Sequence, residues 1–118
     1  MARVLLIDDT PEIAELLTFS LRDLGHEVRA EGYTAGVNEL IAEHRAEAVV
    51  LDCTAYDMSE ALFDLVRQQH ADLPIVIISD TPEVADQSLN KRKAKNVLLI
   101  PKPFTGSQVG RALAQLLQ

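Results

Sequence analysis

Four apolar runs in this chain are unbroken: residues 4–7, 48–51, 75–78 and 97–100. A strand with one wet face alternates polar and apolar positions. A strand that is apolar throughout needs cover on both faces, which is the condition of a parallel sheet between two layers of helix. A further run, Glu-Val-Arg-Ala at 27–30, alternates and is expected at a sheet edge.

Helical periodicity fills the intervals. Ile13, Leu16, Leu17, Leu21 and Leu24 follow Thr10-Pro11 and precede Gly25. Val37, Leu40 and Ile41 mark a second helix with Thr34 as its N-cap. Leu62, Leu65 and Val66 mark a third. Val84, Ser88 and Leu89, after Thr81-Pro82, mark a fourth, and Val109, Leu113, Leu116 and Leu117 a fifth. Strand and helix alternating five times imply a doubly wound α/β sheet with right-handed crossovers. No linker, low-complexity tract or short internal repeat interrupts the pattern.

At 118 residues, 1–118 is expected to be one domain. A formal charge of −7 speaks against binding nucleic acid or an anionic membrane through the body of the domain. Cys53 stands alone, so there is no disulfide framework. No signal-like segment or bilayer-length apolar run is present, and a cytoplasmic location is the expectation.

In open parallel sheets, ligands bind beyond the carboxyl ends of the strands. The residues there are Asp8 and Asp9 after the first run, Asp52 after the third, Ser79 and Asp80 after the fourth, and Pro101 and Lys102 after the fifth. Singly, each has a plain reading: Asp8 and Asp9 as helix caps, Asp52 as a turn starter, Ser79 as a cap, Lys102 as a surface cation. Together they crowd like charges at one rim, which is costly unless a cation or a function requires them.

Mg²⁺ takes oxygen ligands in octahedral geometry, with one or two carboxylates completed by water and phosphate. Asp9 and Asp52 suit direct ligation, Asp8 suits ligation through water, and a backbone carbonyl just after Asp52 completes the set. A carboxylate can also attack phosphorus to give an aspartyl phosphate. Lys102 and the Ser79 hydroxyl would then meet phosphoryl oxygens.

The segments VLLIDDTPE, VVLDCTAYDM, IVIIS and LLIPKPF resemble the receiver domain of bacterial response regulators along the whole chain. The resemblance implies a flavodoxin-like fold with five parallel strands in order 2-1-3-4-5 and five helices. It implies Mg²⁺ at Asp8, Asp9, Asp52 and the Thr54 carbonyl, with Asp52 as phosphoacceptor and Ser79 and Lys102 beside it. Implied partners are a histidine kinase or phosphotransfer protein, and a downstream effector protein. The domain would be a self-phosphorylating and self-dephosphorylating switch rather than a conventional enzyme, with no direct nucleic-acid or membrane contact.

Four positions leave the family pattern. Tyr56 replaces the usual proline, Ser59-Glu60 replaces Asp-Gly, Asp80 replaces a small residue, and Leu99 replaces the switch aromatic three residues before the lysine. Asp80 is expected to cap the fourth helix; facing the phosphate, it would oppose an incoming phosphoryl group. With Leu99 there is no ring to rotate. A pseudo-receiver that binds partners without phosphorylation is the alternative reading. A Mg²⁺-dependent phosphohydrolase is disfavoured, because Thr54 stands where such enzymes carry their second Asp.

His26, His44 and His70 are expected in solvent, away from the acids, and Cys53 in the core. Lys91, Arg92, Lys93 and Lys95 form a basic run, read either as favourable cations at a helix C-terminus or as a docking patch.

Overall fold

The computed structural model describes residues 2–52 and 56–118. Five strands alternate with five helices: β1 Arg3–Asp8, α1 Pro11–Asp23, β2 Glu27–Glu31, α2 Val37–His44, β3 Ala48–Asp52, α3 Tyr56–Gln69, β4 Ile75–Ser79, α4 Pro82–Lys91, β5 Val97–Pro101 and α5 Gly106–Leu116. All strand pairs are parallel, in the order β2-β1-β3-β4-β5 expected from the resemblance. The alternating strand β2 is an edge, as its pattern requires. The other edge is β5, and there the unbroken apolar run misleads. With a neighbour on one side only, Val97, Leu98 and Leu99 are half-buried rather than buried.

Strand alternation sends β1, β3 and β4 side chains into two cores. Val4, Leu6, Val50, Val76 and Ile78 pack with Leu17 and Leu21 of α1 and Val109 and Leu113 of α5. On the other face, Leu5, Ile7, Val49, Leu51, Ile75 and Ile77 pack with Val37 and Ile41 of α2, Leu62 and Val66 of α3, and Leu89 of α4.

Helix roll differs from the expected stripes at three residues. Leu16, Leu24 and Val84 are exposed, while Ala85 joins Leu89 as the buried face of α4. Thr34 is not the N-cap of α2. Gly36 holds that position, and the Thr34 hydroxyl accepts the Gly36 N–H at 3.0 Å in a turn just before the helix. Gly25, past the end of α1, sits at φ 94°, a conformation that a side chain would strain. Thr105 caps α5 reciprocally with Gln108. The α1–α5 approach is close, because a Cβ at Gly106 would fall on Ser20 and one at Gly110 on the Leu24 tip.

Candidate functional site

The strand ends carry the chemistry. Asp8, Asp52 and Ser79 extend β1, β3 and β4 by one residue beyond the apolar runs, and all three are buried. Asp8 and Asp52 are register partners on adjacent strands. Lys102 reaches across from the end of β5, its Nζ 2.9 Å from Asp52 Oδ1. A backbone bond from Lys102 N–H to the Ser79 carbonyl, 2.8 Å, holds the ends of β4 and β5 together.

The electrostatics follow from burial. Asp8 is pushed up to about 7, mainly by loss of solvent; the 2.8 Å bond from the Thr10 N–H opposes this, while Asp52 and Asp9 add to it. Burial pulls the Lys102 ammonium down, but its bond to Asp52 and the charges of Asp52, Asp80 and Asp8 outweigh that and raise it. Asp8 Oδ2 and Asp52 Oδ2 are buried without a hydrogen-bond partner among the described residues. Two orphaned acidic oxygens on neighbouring strands are a poor arrangement for a bare protein and a good one for a small hard cation. Among the described residues, no group of three or more His, Cys, Asp or Glu is arranged to hold a metal. At this rim the buried acids among the described residues are Asp8 and Asp52, and Mg²⁺ accepts two carboxylates when water and phosphate complete its shell. Asp9 is exposed, with the Thr10 hydroxyl 3.5 Å away. Thr54 and Cys53 lie outside the described residues.

Asp80 does not cap α4. Thr81 is the N-cap, the Ser79 hydroxyl accepts the Thr81 N–H at 2.9 Å, and Asp80 is exposed. The Asp8 carboxylate treats Thr10 in the same way, ahead of Thr10-Pro11. These twin turns expose an internal repeat that the linear reading misses: IDDTPEI at 7–13 and ISDTPEV at 78–84. Because β1 and β4 flank β3, the repeat brackets Asp52 on both sides. A shared Asp-Thr-Pro-Glu was the available signal.

Other expectations change with the geometry. The histidines are half-buried rather than solvated, and His26 Nδ1 accepts the Ala2 N–H at 3.1 Å. The basic run is divided. Arg92 is bound to Asp64 of α3 through Nε–Oδ1 at 2.8 Å and Nη2–Oδ2 at 3.0 Å, whereas Lys91, Lys93 and Lys95 are exposed. Arg67 escaped the sequence reading altogether. It stacks over Phe63 and donates to the carbonyls of His70, Leu73, Lys95 and Asn96, tying the end of α3 to the α4–β5 loop.

Comparison with known proteins agrees with this arrangement. The family model for the response regulator receiver domain matches residues 4–114. The chain is 30% identical over 117 residues to the DNA-binding response regulator MtrA of Mycolicibacterium smegmatis, covering 97% of this chain and 50% of MtrA. It is 29% identical over 111 residues to the nitrogen assimilation regulatory protein NtrX of Azorhizobium caulinodans, covering 90% of this chain and 24% of NtrX. The chain thus spans half or less of the length of these curated relatives. Among solved structures, NtrX from Brucella abortus aligns with a TM-score of 0.79 at 29% identity, over 98% of this chain and 26% of that one. The chemotaxis response regulator CheY4 of Vibrio cholerae shares the fold, with a TM-score of 0.77 at 23% identity over 99% of both chains. On its sheet order and the family match over nearly its whole length, this chain belongs to the response regulator receiver domain family of two-component systems.

Proposed function

We propose that this receiver domain accepts a phosphoryl group on Asp52, with Mg²⁺ held by Asp8, Asp9, Asp52 and the backbone carbonyl of Thr54. The observation that carries this reading is the Asp52 carboxylate itself. It is 1% exposed, with Asp8 in register on one side and the Lys102 ammonium 2.9 Å from its Oδ1. An Asp52 oxygen attacks phosphorus, and the bond from phosphorus to the donor breaks. The electron pair leaves with a histidine nitrogen of a kinase or phosphotransfer protein, or with the carboxylate of a small acyl phosphate. Bound Mg²⁺ supplies charge neutralisation for the transferring group. Lys102 then exchanges its contact with Asp52 for a phosphoryl oxygen, and the Ser79 hydroxyl turns from Thr81 to donate to another. Hydrolysis of the acyl phosphate returns Asp52, so the domain acts as a switch and not as a conventional enzyme.

The output side is α4 and β5, where Lys91, Lys93 and Lys95 offer a basic surface to an effector protein. No helix among the described residues is long and apolar enough to cross a membrane, and the domain is read as cytoplasmic.

Incubation with acetyl phosphate and Mg²⁺, followed by intact-mass measurement, tests the reading. Wild type should gain one hydroxylamine-sensitive phosphate and Asp52→Asn none. A wild type that remains unmodified with acetyl phosphate and with a panel of histidine kinases points instead to the pseudo-receiver.

A further inference from the structure

Behind Ser79 lies a small cavity that the phosphoacceptor chemistry does not use. It is lined by Ser59 and Glu60 of α3, Ile77, Ile78 and Ser79 of β4, and Ala85 and Leu89 of α4. Its volume is about 10 Å³, close to the minimum that accommodates one water molecule. Two polar atoms of its lining residues, Ser59 Oγ and Glu60 Oε1, are buried and find no hydrogen-bond partner among the described residues. An apolar void of this size would stay dry, whereas two buried oxygens without a partner cost stability unless a water meets them. A hydroxyl and a carboxylate oxygen give a water both an acceptor and a donor-acceptor partner.

A second acid follows Glu60 along α3. Asp64 lies one turn further on and so shares its side of the helix. The Arg92 guanidinium, at the end of α4, is raised first by its bonds to Asp64 and also by the charge of Glu60. Ser79 of β4 and Ala85 and Leu89 of α4 line the same cavity as Ser59 and Glu60, so the strand end and the helix share one wall. Leu99 belongs to the core on the same face of the sheet and has no ring that could serve as an alternative link.

We infer that Ser59 and Glu60 form a buried single-water site between α3 and α4, and that this site transmits the state of Ser79 to α4. The transmission half rests on the phosphoacceptor reading; the water site does not.

Both halves are tested by NMR on the intact chain. In the unmodified protein, water-to-amide cross-relaxation should detect a long-lived water at Ser59 and Glu60, lost in Glu60→Leu and retained in Glu60→Gln, which keeps an acceptor oxygen. Absence of that water in wild type overturns the site. Modification with beryllofluoride and Mg²⁺, confirmed at the Asp52 region, should shift the amides of Ala85, Leu89 and Arg92. In Glu60→Leu those shifts should fall below half of their wild-type size, with recovery in Glu60→Gln. Full α4 shifts in a modified Glu60→Leu overturn the transmission. If beryllofluoride leaves the Asp52 region of wild type unmoved, the phosphoacceptor reading fails and the transmission with it, while the water measurement still decides the site.

Discussion

Asp8 and Asp52 stand opposite each other on neighbouring parallel strands, both buried, and only Asp52 has an ammonium within ion-pair distance among the described residues. Burying the pair sets a pH dependence. Asp8 rises from an ordinary 3.8 to about 7. Between those values the folded chain holds a proton that the unfolded chain has lost, so stability falls as pH rises from about 4 to 7. Urea denaturation of metal-free protein should give about 2–4 kcal/mol less stability at pH 8 than at pH 4.5 from this group. Asp8→Asn should remove most of that slope, and Mg²⁺ at pH 8 should restore stability to the wild type.

Asp80 adds a second charge test. It is exposed, contributes no cap to α4, and its field reaches Lys102. Asp80→Ala should therefore speed labelling by acetyl phosphate, by roughly two- to tenfold, through reduced repulsion of the anionic donor. The melting temperature should stay close to wild type. A lower melting temperature with an unchanged rate would restore the capping role.

The α1–α5 contact predicts unequal outcomes for two similar substitutions. A Cβ at Gly106 meets both the Oγ and the Cβ of Ser20, so Gly106→Ala should destabilise by about 1–3 kcal/mol. At Gly110 the obstacle is the tip of Leu24, a side chain 56% exposed that can swing into solvent. Gly110→Ala should fall within about 1 kcal/mol of wild type, helped by alanine's helix propensity. Thermal or urea unfolding separates the two.

Arg67 should be intolerant of even a conservative change. Its planar fork serves carbonyls from two loops at 2.7 to 3.3 Å, a geometry that an ammonium cannot copy. Arg67→Lys should cost about 1–2 kcal/mol, read by chemical denaturation, because several carbonyls, two of them part-buried, lose a donor at once.

For the basic surface, Lys91→Glu with Lys93→Glu should slow association with an effector, and the effect should shrink as salt screens exposed charge. Stopped-flow binding at two ionic strengths checks this. Arg92 is unsuitable for the same experiment, since reversing it breaks the pair with Asp64 and unpins α4 from α3.

Local chemistry was enough to determine the strands, the sheet type and the acids at their ends. Unbroken runs such as 48–51 admit few environments other than a strand covered on both faces, and a carboxylate following such a run lands at the sheet's carboxyl edge whatever else the chain does. Neighbour relations were decided only by the tertiary structure. That Asp8 faces Asp52 depends on β1 pairing with β3, 44 positions away in the register. Arg92 became a strut because α4 lies against α3, and Asp64, its partner, is 28 residues distant. Leu16, Leu24 and Val84 satisfied the helical period yet lie outside, because periodicity defines a stripe about one helix while packing against the sheet selects which part of it is covered. The orphaned oxygens of Ser59 and Glu60 belong to the same class. Glutamate at that position reads as surface in one dimension, and only the approach of β4 and α4 closes the wall around it.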